Sequence, residues 1–507
     1  MMTDKPRTKL TVALIREGLV GGSEDGPLQL ATLDLALPCR RFVVEHKVAD
    51  VGKVSVTAEF LLRFVRAMGS CTEEAVQSFF GYSRREMTYV LHEVEDADFV
   101  HRIEGRITLT ATGLSLFRPG VEEPLIYEVE RKTARVGFDL ISLAPAEKKF
   151  LTYFESRLPE LPLADVEQVS AATERVPSSF RRFFREFAPK IDPTSTVRRA
   201  LYSIDGVAAE ERFSTIVRVR LVSSGLKPTL PDIDLSEWKS DYELSDREAV
   251  GRAVAEMVER MGVARREDDS EAYQLLVNLA PEYLKEWTRR DGLSVQRYYR
   301  HAFTSQGDVR ADRPTVPIVG SLFTMENARR LFEVASYGLR KTRHAVAAVY
   351  WVVPQAPLWG STSIMAEAID QFRERILRTN EDLAARQNVE SIALTTQRSE
   401  PWVKEAFTRE QGSNARTFPG GFEMLLVPGA FVAATIHAPI GQQSGLPVPL
   451  GFASFDPRVL ARAGGLLDAS ADVFKLSEEL RRNLVAPQVT DKKDDGAEER
   501  SVAPATR

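Results

Sequence analysis

The N-terminal third of the chain has a hydrophobic pattern that predicts two successive helices. Between Val56 and Met68, apolar residues recur at helical spacing at Phe60, Leu61, Phe64, Val65 and Met68. Gly69 and Ser70 end this first helix. Thr72 then caps a shorter second helix that runs to Phe80. Its inward-facing residues are expected to be Val76, Phe79 and Phe80.

A third helix and a hairpin follow. Ser83 and Glu86 have the spacing of a capping box, so the third helix is predicted to begin at Arg84. Its buried side is predicted to consist of Met87, Val90, Leu91 and Val94, and its outer side of Arg84, Arg85, Thr88, Tyr89 and His92. Val100–Thr110 predicts two short strands that turn at Glu104 and Gly105.

The order helix, helix, turn, helix, hairpin over residues 54–117, with the ending Thr110-Ala111-Thr112-Gly113, resembles the bacterial winged helix-turn-helix family. The resemblance covers roughly an eighth of the chain. It implies that one side of the third helix enters the major groove of duplex DNA, through Arg84, Arg85, Thr88 and Tyr89. It also implies that Arg102 and Arg106 on the hairpin approach phosphates.

The charge balance of this region supports an alternative. The acidic residues of the third helix and hairpin outnumber the four arginines and are Glu86, Glu93, Glu95, Asp96, Asp98 and Glu104. The region therefore has few cationic side chains that could contact phosphates and release counterions from DNA. A winged helix used for dimerisation or for docking onto another protein is therefore the second interpretation.

Residues 175–199 form the most basic stretch of the chain. Its cationic residues are Arg175, Arg181, Arg182, Arg185, Lys190, Arg198 and Arg199. Phe180, Phe183, Phe184 and Phe187 lie among them at the spacing of one buried helix face. We predict that the rings belong to a core and that Arg181, Arg182 and Arg185 are auxiliary phosphate contacts. The alternative is a set of exposed rings that stack on bases.

The last third of the chain alternates strands and helices, which predicts an α/β domain. Helices are predicted at Thr324–Arg343, Ser363–Gln387 and Trp402–Glu410, and strands at Ala345–Val353 and Ser391–Thr395. A pair of strands follows, from Phe422 to Gly429 and from Phe431 to Ile436, and then come a loop at Ser444–Pro447 and a strand that ends at Asp456-Pro457.

This arrangement, over about residues 324–470, is similar to half of a phospholipase D-like domain. That family uses the motif His-x-Lys-x-x-x-x-Asp, and its three places hold Phe422, Met424 and Gly429 here. The resemblance therefore implies a pseudo-enzyme without catalytic residues, because no imidazole can attack phosphorus and no ammonium can neutralise phosphate. An unrelated α/β domain with a buried hairpin is the alternative.

Proline-rich joints near residues 118–124 and 312–317 divide the 507 residues into three parts, so the fold class is predicted to be multidomain α/β. We expect a flexible lead-in over 1–26 and a winged helix-turn-helix domain over 27–120. A mostly helical α+β middle domain over 121–312 and an α/β phospholipase D-like domain over 313–485 follow. Residues 486–507 are predicted to be a disordered tail.

The composition and the motifs that are missing from the sequence argue against several classes of protein. The apolar runs are too short to span a bilayer and no secretion signal is visible, so no membrane partner is expected. Cys39 and Cys71 are the only cysteines, which favours the cytoplasm. The six histidines lack metal-ligand spacing, and neither a phosphate-binding loop nor a nucleophile elbow is present. We expect no metal and no cofactor.

These observations favour a non-catalytic regulator or adaptor that binds nucleic acid, with duplex DNA as the expected ligand. The formal net charge is -5, so the affinity must come from a local patch. By resemblance, a winged helix joined to a degenerate nuclease-like domain implies a bacterial genome-maintenance or anti-phage system. The alternatives are a structural subunit with protein partners or copies of itself, and an enzyme with a site too scattered to recognise.

Overall fold

The computed structural model describes residues 27–50, 55–117, 124, 129–163, 169, 171–191, 199–225, 227–238, 247–305, 309–342, 346–379 and 389–484. The strands are β1 Pro27–Asp50, β2 Cys71–Thr72, β3 Val100–Ile103, β4 Arg106–Leu109, β5 Val129–Asp139, β6 Arg199–Ser224, β7 Asp232–Asp234, β8 Val263–Ala264, β9 Thr288–Arg289, β10 Gly292–Leu293, β11 Thr315–Val319, β12 Ala348–Val352, β13 Glu390–Thr395, β14 Arg409–Gly412, β15 Phe422–Val427, β16 Phe431–Ala438, β17 Ser444–Gly445 and β18 Val448–Ser454. The α-helices are α1 Val56–Met68, α2 Glu73–Phe80, α3 Arg84–Asp96, α4 Ala111–Ser115, α5 Ala172–Ile191, α6 Arg247–Glu259, α7 Asp269–Leu279, α8 Pro281–Leu284, α9 Val295–Thr304, α10 Met325–Lys341, α11 Ser363–Thr379, α12 Pro401–Ala406, α13 Pro457–Ala469 and α14 Glu478–Leu484.

Two unusually long strands form a ribbon. β1 has 24 residues and β6 has 26, and they pair antiparallel along their whole length. β5 pairs with the second half of β1, and β7 completes the sheet order β5-β1-β6-β7. The helix α5 lies on this second half, where Phe180 and Phe184 share a core with Phe42 and Phe138. The predicted burial of the α5 phenylalanines is thereby confirmed.

A compact unit is inserted between β1 and β5. We call the described residues Ser55–Phe117 the inserted unit; it contains α1 to α4 and the small sheet β2-β4-β3. It has its own core. Ala49 pairs with Val129 where the ribbon meets this unit, so the unit enters and leaves the ribbon through neighbouring strands.

The C-terminal part is built on a seven-stranded sheet in the order β11-β18-β16-β15-β12-β13-β14. β12, β13 and β14 run parallel to one another, and the other neighbouring strands are antiparallel. Both faces of the sheet are covered, because alternating residues of β15 belong to two different cores. Phe422 and Met424 lie in one core and Leu425 lies in the other.

The first half of β1 joins the ribbon to this C-terminal part. Leu28, Leu30 and Leu33 pack in the same core as Phe422. The buried Asp34 carboxylate accepts hydrogen bonds from Arg218 Nε at 2.8 Å and from the backbone N–H of Ser363 at 2.7 Å. Asp34 therefore binds the first amide of α11 from a strand more than 300 residues away in the chain.

The expected mixed α/β composition is confirmed, with differences in detail. The helix predicted at Trp402–Glu410 ends at Ala406, and the last two residues of the predicted range belong to the strand β14. The middle part was expected to be mostly helical with strands near Leu125–Leu143 and Thr215–Val222; β5 lies within the first of these ranges, and β6 contains the second but is much longer. Residues 27–50, which the sequence assigned to the first domain, pair with strands of the second. The predicted lead-in (1–26) and tail (486–507) lie outside the described residues.

Candidate nucleic-acid interface

Side-chain hydrogen bonds cap the first turns of the three helices α1, α2 and α3 in the inserted unit. The side chains of Ser55, Thr72 and Ser83 each accept a hydrogen bond from the backbone N–H three residues later. The capping box is complete, because the Glu86 carboxylate in turn accepts from the backbone N–H of Ser83. These bonds satisfy amides that a helix start leaves unpaired. The predicted starts of the three helices are confirmed.

The outer side of α3 carries the residues expected to contact DNA. Met87, Val90, Leu91 and Val94 are buried, as predicted. Arg84, Arg85, Thr88 and Tyr89 are all exposed, and 75% of the Tyr89 surface is accessible. Among the described residues, no carboxylate lies within ion-pair distance of Arg84 or Arg85. Both positive charges are therefore open to an anionic ligand.

The two arginines of the hairpin β3–β4 have different hydrogen-bond partners. Glu104 and Gly105 both have positive φ, at 51° and 74°, which is the backbone of a tight two-residue turn. The Arg102 guanidinium donates to Glu73 at 3.1 Å and lies 3.3 Å from Glu95. Arg106 Nε instead donates to the hydroxyl of Ser70 at 3.2 Å. Arg102 thus has two carboxylate partners, whereas Arg106 has no carboxylate within ion-pair distance among the residues that the structure describes.

Several acidic side chains of α3 have structural roles. Hydrogen bonds from the backbone and hydroxyl of Ser83 lower the pKa of the Glu86 carboxyl. The Glu93 carboxylate accepts from the Ser55 hydroxyl at 2.7 Å and so fastens α3 to the start of α1. His92 lies 3.1 Å from Asp96. These carboxylates hold the inserted unit together, but their negative charge still limits the attraction of phosphate.

An open groove lies beside α3. It has a volume of about 700 Å³, and its lining includes Tyr82, Arg85, Tyr89 and His92 together with Thr57 of α1. Arg85, Tyr89 and His92 are spaced so that they share one helix side. The groove therefore places aromatic rings and one guanidinium along the side of α3 that the sequence predicted to be a binding surface.

The basic stretch on α5 is arranged as a core face and a solvent face. Phe180, Phe183, Phe184 and Phe187 are all buried, so their rings are not available to stack on bases. Arg181, Arg182 and Arg185 are exposed, and the Arg182 guanidinium lies 5.2 Å from the centre of the Phe183 ring. These arginines are on a helix of the ribbon, whereas Arg84 and Arg85 are on the inserted unit.

One prediction about the inserted unit is wrong. Phe79, expected to turn inward, is 67% exposed, and Phe80 is only partly buried. On α1, Phe60 and Met68 of the predicted apolar stripe are also exposed, because the core is formed instead by Ala58, Leu61, Leu62 and Val65. The buried residues of α1 are thus small or branched, whereas the rings of Phe64 and Phe79 meet between the two helices and several large apolar side chains remain exposed.

The C-terminal sheet contains a buried polar cluster that the sequence did not reveal. Phe422 and Met424 are buried among apolar residues, and Gly429 lies in the turn after β15 with φ of 69°. Glu423 points to the opposite face, where its Oε2 accepts from Thr435 at 2.8 Å and lies 2.6 Å from His437 Nε2. Its Oε1 accepts from the indole N–H groups of Trp351 and Trp359, both at 3.0 Å.

Glu423 is held as a carboxylate in this cluster. Burial raises the pKa of the Glu423 carboxyl, but the hydrogen bonds from His437, Thr435 and Trp351 outweigh burial and keep that pKa below its usual value. All four donors are buried or nearly so. Four buried side chains, three on the sheet and one in the connection after β12, surround this carboxylate, so the cluster is suited to fixing the sheet rather than to attacking a substrate.

No family model matches this chain, and searches of curated proteins and of solved structures find no match. In the described part of the chain, no helix is long and apolar enough to cross a membrane. Across the same residues, histidine, cysteine and acidic side chains do not form a group of three or more that could hold a metal ion.

Proposed function

We propose that this chain is a non-catalytic regulator or adaptor that binds duplex DNA through the inserted unit, acting as a winged helix. The observation that carries the proposal is the outer side of α3. Arg84 and Arg85 have no carboxylate partner in the described part of the chain, and Thr88 and Tyr89 lie on the same side. Exposed arginines on a helix that follows a tight turn have the geometry needed to reach base edges in a major groove.

The arginines have different roles in this proposal. Arg84 and Arg85 lie in the first turn of α3, where each guanidinium can donate two parallel hydrogen bonds to a guanine. Arg106 contacts phosphate. Arg102 fixes the hairpin to α2 and α3 through Glu73 and Glu95, which revises the phosphate contact expected for it. Arg181, Arg182 and Arg185 are proposed as auxiliary phosphate contacts.

The C-terminal part is proposed to be a degenerate phospholipase D-like domain that serves as a sensor or an assembly surface. The support is chemical, because Phe422, Met424 and Gly429 provide no nucleophile, no cation and no general acid. A bacterial genome-maintenance or anti-phage setting is part of this proposal and rests on the resemblance of the domain combination alone.

A second candidate function is that of a structural subunit that docks through the inserted unit. The observation that favours it is the exposure of Phe60 and Phe79, because large aromatic side chains left outside a core mark protein interfaces. The acidic residues of α3 and the hairpin favour it as well.

The deciding experiment is titration of labelled duplexes with the full chain at several salt concentrations, after a random duplex pool has been used to select a preferred sequence. Arg84→Ala or Arg85→Ala should weaken binding to the preferred sequence by about 1–3 kcal/mol and leave binding to unrelated duplexes less affected. Arg106→Ala should weaken binding to all duplexes alike and reduce the salt slope, since a phosphate contact releases counterions without recognising bases.

Arg252 provides the matched control, because it is an exposed arginine on α6, away from the inserted unit. Arg252→Ala should bind like the wild type. Undetectable binding by the folded wild-type protein, or binding that does not depend on salt, would reject the DNA-binding proposal and favour the structural subunit.

A further inference from the structure

The inserted unit has a continuous apolar surface outside its core. We call it the aromatic face, and it consists of Val56, Phe60, Phe64 and Met68 on α1 with Phe79 on α2. The four α1 residues follow one another every four positions and so form a stripe along one side of the helix. The rings of Phe64 and Phe79 lie 4.5 Å apart, which joins the two helices into one surface.

This surface is comparable to the largest apolar patch that a typical single chain exposes, and such a patch is often functional. Val56, Phe60, Met68 and Phe79 are each at least half exposed. A phenylalanine side chain presents roughly 150–250 Å², and Val56 and Met68 add smaller aliphatic surfaces, so the four residues together leave on the order of 400 Å² of apolar surface open to water. A stable interface buries about 800 Å² per partner, so the aromatic face has the area of the apolar centre of such an interface.

The polar residues beside the aromatic face indicate the kind of partner. The Arg63 guanidinium lies 5.5 Å from the centre of the Phe60 ring and 4.0 Å from Glu59. Beside Phe60, one positive and one negative charge are thus already paired with each other. In a two-fold contact the same surface lies on both sides, so a rim with charges of one sign would repel its own copy. The paired charges beside Phe60 carry no net charge and so do not repel their copies.

We propose that the aromatic face is the two-fold interface of a dimer of this chain. The aromatic side chains of one copy would pack against those of the other and exclude water from both. A further consequence rests on the proposed DNA-binding function: among the described residues, Arg84, Arg85 and Arg106 of each inserted unit have no carboxylate within ion-pair distance, and a dimer doubles that number and presents two α3 helices to two half-sites.

The test is sedimentation equilibrium of the full chain over a range of concentrations, without DNA. The wild type should approach twice the chain mass of 56.7 kDa as the concentration rises. Phe79→Glu places a charge at the centre of the contact in both copies and should give the mass of one chain over the same range. Phe60→Glu is the second variant, and it should have the same effect.

Phe150→Glu is the matched control, because Phe150 is 96% exposed in a loop outside the inserted unit. This variant should dimerise like the wild type. Circular dichroism and thermal unfolding establish that each variant is folded, and unfolding is not expected because both substituted rings in the aromatic face are already largely in water.

A wild type with the mass of one chain at every concentration would overturn the proposal, and so would a dimer that persists in both folded variants. The first result would show that a different protein, or another segment of this chain, covers the aromatic face. The outcome is separate from the proposed function: a dimer lost in Phe79→Glu together with no DNA binding by the wild type would support the dimer and reject the DNA-binding role.

Discussion

Replacing Glu423 by alanine tests whether the buried polar cluster holds the C-terminal sheet together. The carboxylate connects β15 to Trp351 on β12, to Thr435 and His437 on β16, and to Trp359 in the connection between β12 and α11. Alanine removes the only hydrogen-bond acceptor seen for either indole N–H in the described structure.

The expected cost follows from the groups left behind. Two buried indole N–H groups lose their acceptor, and each unsatisfied buried donor costs about 1–3 kcal/mol. Thr435 and His437 also lose a charged partner, although a hydroxyl can rotate toward a carbonyl. Each hydrogen bond to a charged acceptor contributes about 1.5–3 kcal/mol, and Glu423 accepts several of them. We expect Glu423→Ala to lose about 3–5 kcal/mol of unfolding free energy.

Glu423→Gln separates charge from hydrogen bonding. An amide oxygen in the position of Oε1 can still accept from both tryptophans, while its NH₂ group can donate to Thr435 and to neutral His437. This variant should lose about 1–2 kcal/mol, since a neutral hydrogen bond is weaker than a charge-assisted one. Urea unfolding followed by tryptophan fluorescence measures both variants. A loss below about 1 kcal/mol for Glu423→Ala, or equal losses for the two variants, would refute the reasoning.

Three further predictions concern pH and packing. The folded-state pKa of Glu423 lies below its ordinary value of 4.5, so the contribution of this carboxylate to stability is complete above that value and is lost as the pH falls through the folded pKa. The wild type should therefore lose more stability in acid than Glu423→Gln. Parallel acid-unfolding curves would contradict this. In urea unfolding, Phe184→Ala should lower the unfolding free energy by about 3–5 kcal/mol, whereas Arg185→Ala should change it by no more than about 0.5 kcal/mol. A similar cost for both variants would reject the assignment of the α5 phenylalanines to the core. Asp34→Ala should lower the unfolding free energy by about 2–4 kcal/mol, because it leaves Arg218 without its carboxylate and α11 without its cap. Asp34→Asn should cost less, because asparagine can still cap the helix. A smaller loss for alanine than for asparagine would contradict the capping role.

The inserted unit was predictable because its signals are local. Ser83 and Glu86 are three residues apart, and the turn at Glu104 and Gly105 joins adjacent strands. Such interactions form between neighbours in the chain, so the sequence shows both partners at once. The exposure of Phe79 was not predictable in the same way. Periodicity in an eight-residue helix shows which residues share a side but not which side another element covers.

The Glu423 cluster was missed because its partners come from separate segments of the sheet. One signal was present: a single acidic residue in the apolar run Phe422–Val427. The turn between β15 and β16 places Glu423 opposite Thr435, and residues two positions further on the same face, such as His437, are diagonal neighbours. The two tryptophans could not be inferred, because their approach depends on how β12 packs beside β15.

The position of the inserted unit has a consequence for the order in which the chain assembles. β1 and β5 pair although residues 51–128 separate them, and closing a loop of flexible chain costs entropy that grows as roughly (3/2)RT ln n. The inserted unit has a core of its own, and its two ends return to adjacent strands. Once folded, it shortens the stretch of chain that has to be closed when β1 pairs with β5, and makes a distant strand pairing nearly local. We therefore expect the inserted unit to fold before β1 pairs with β5.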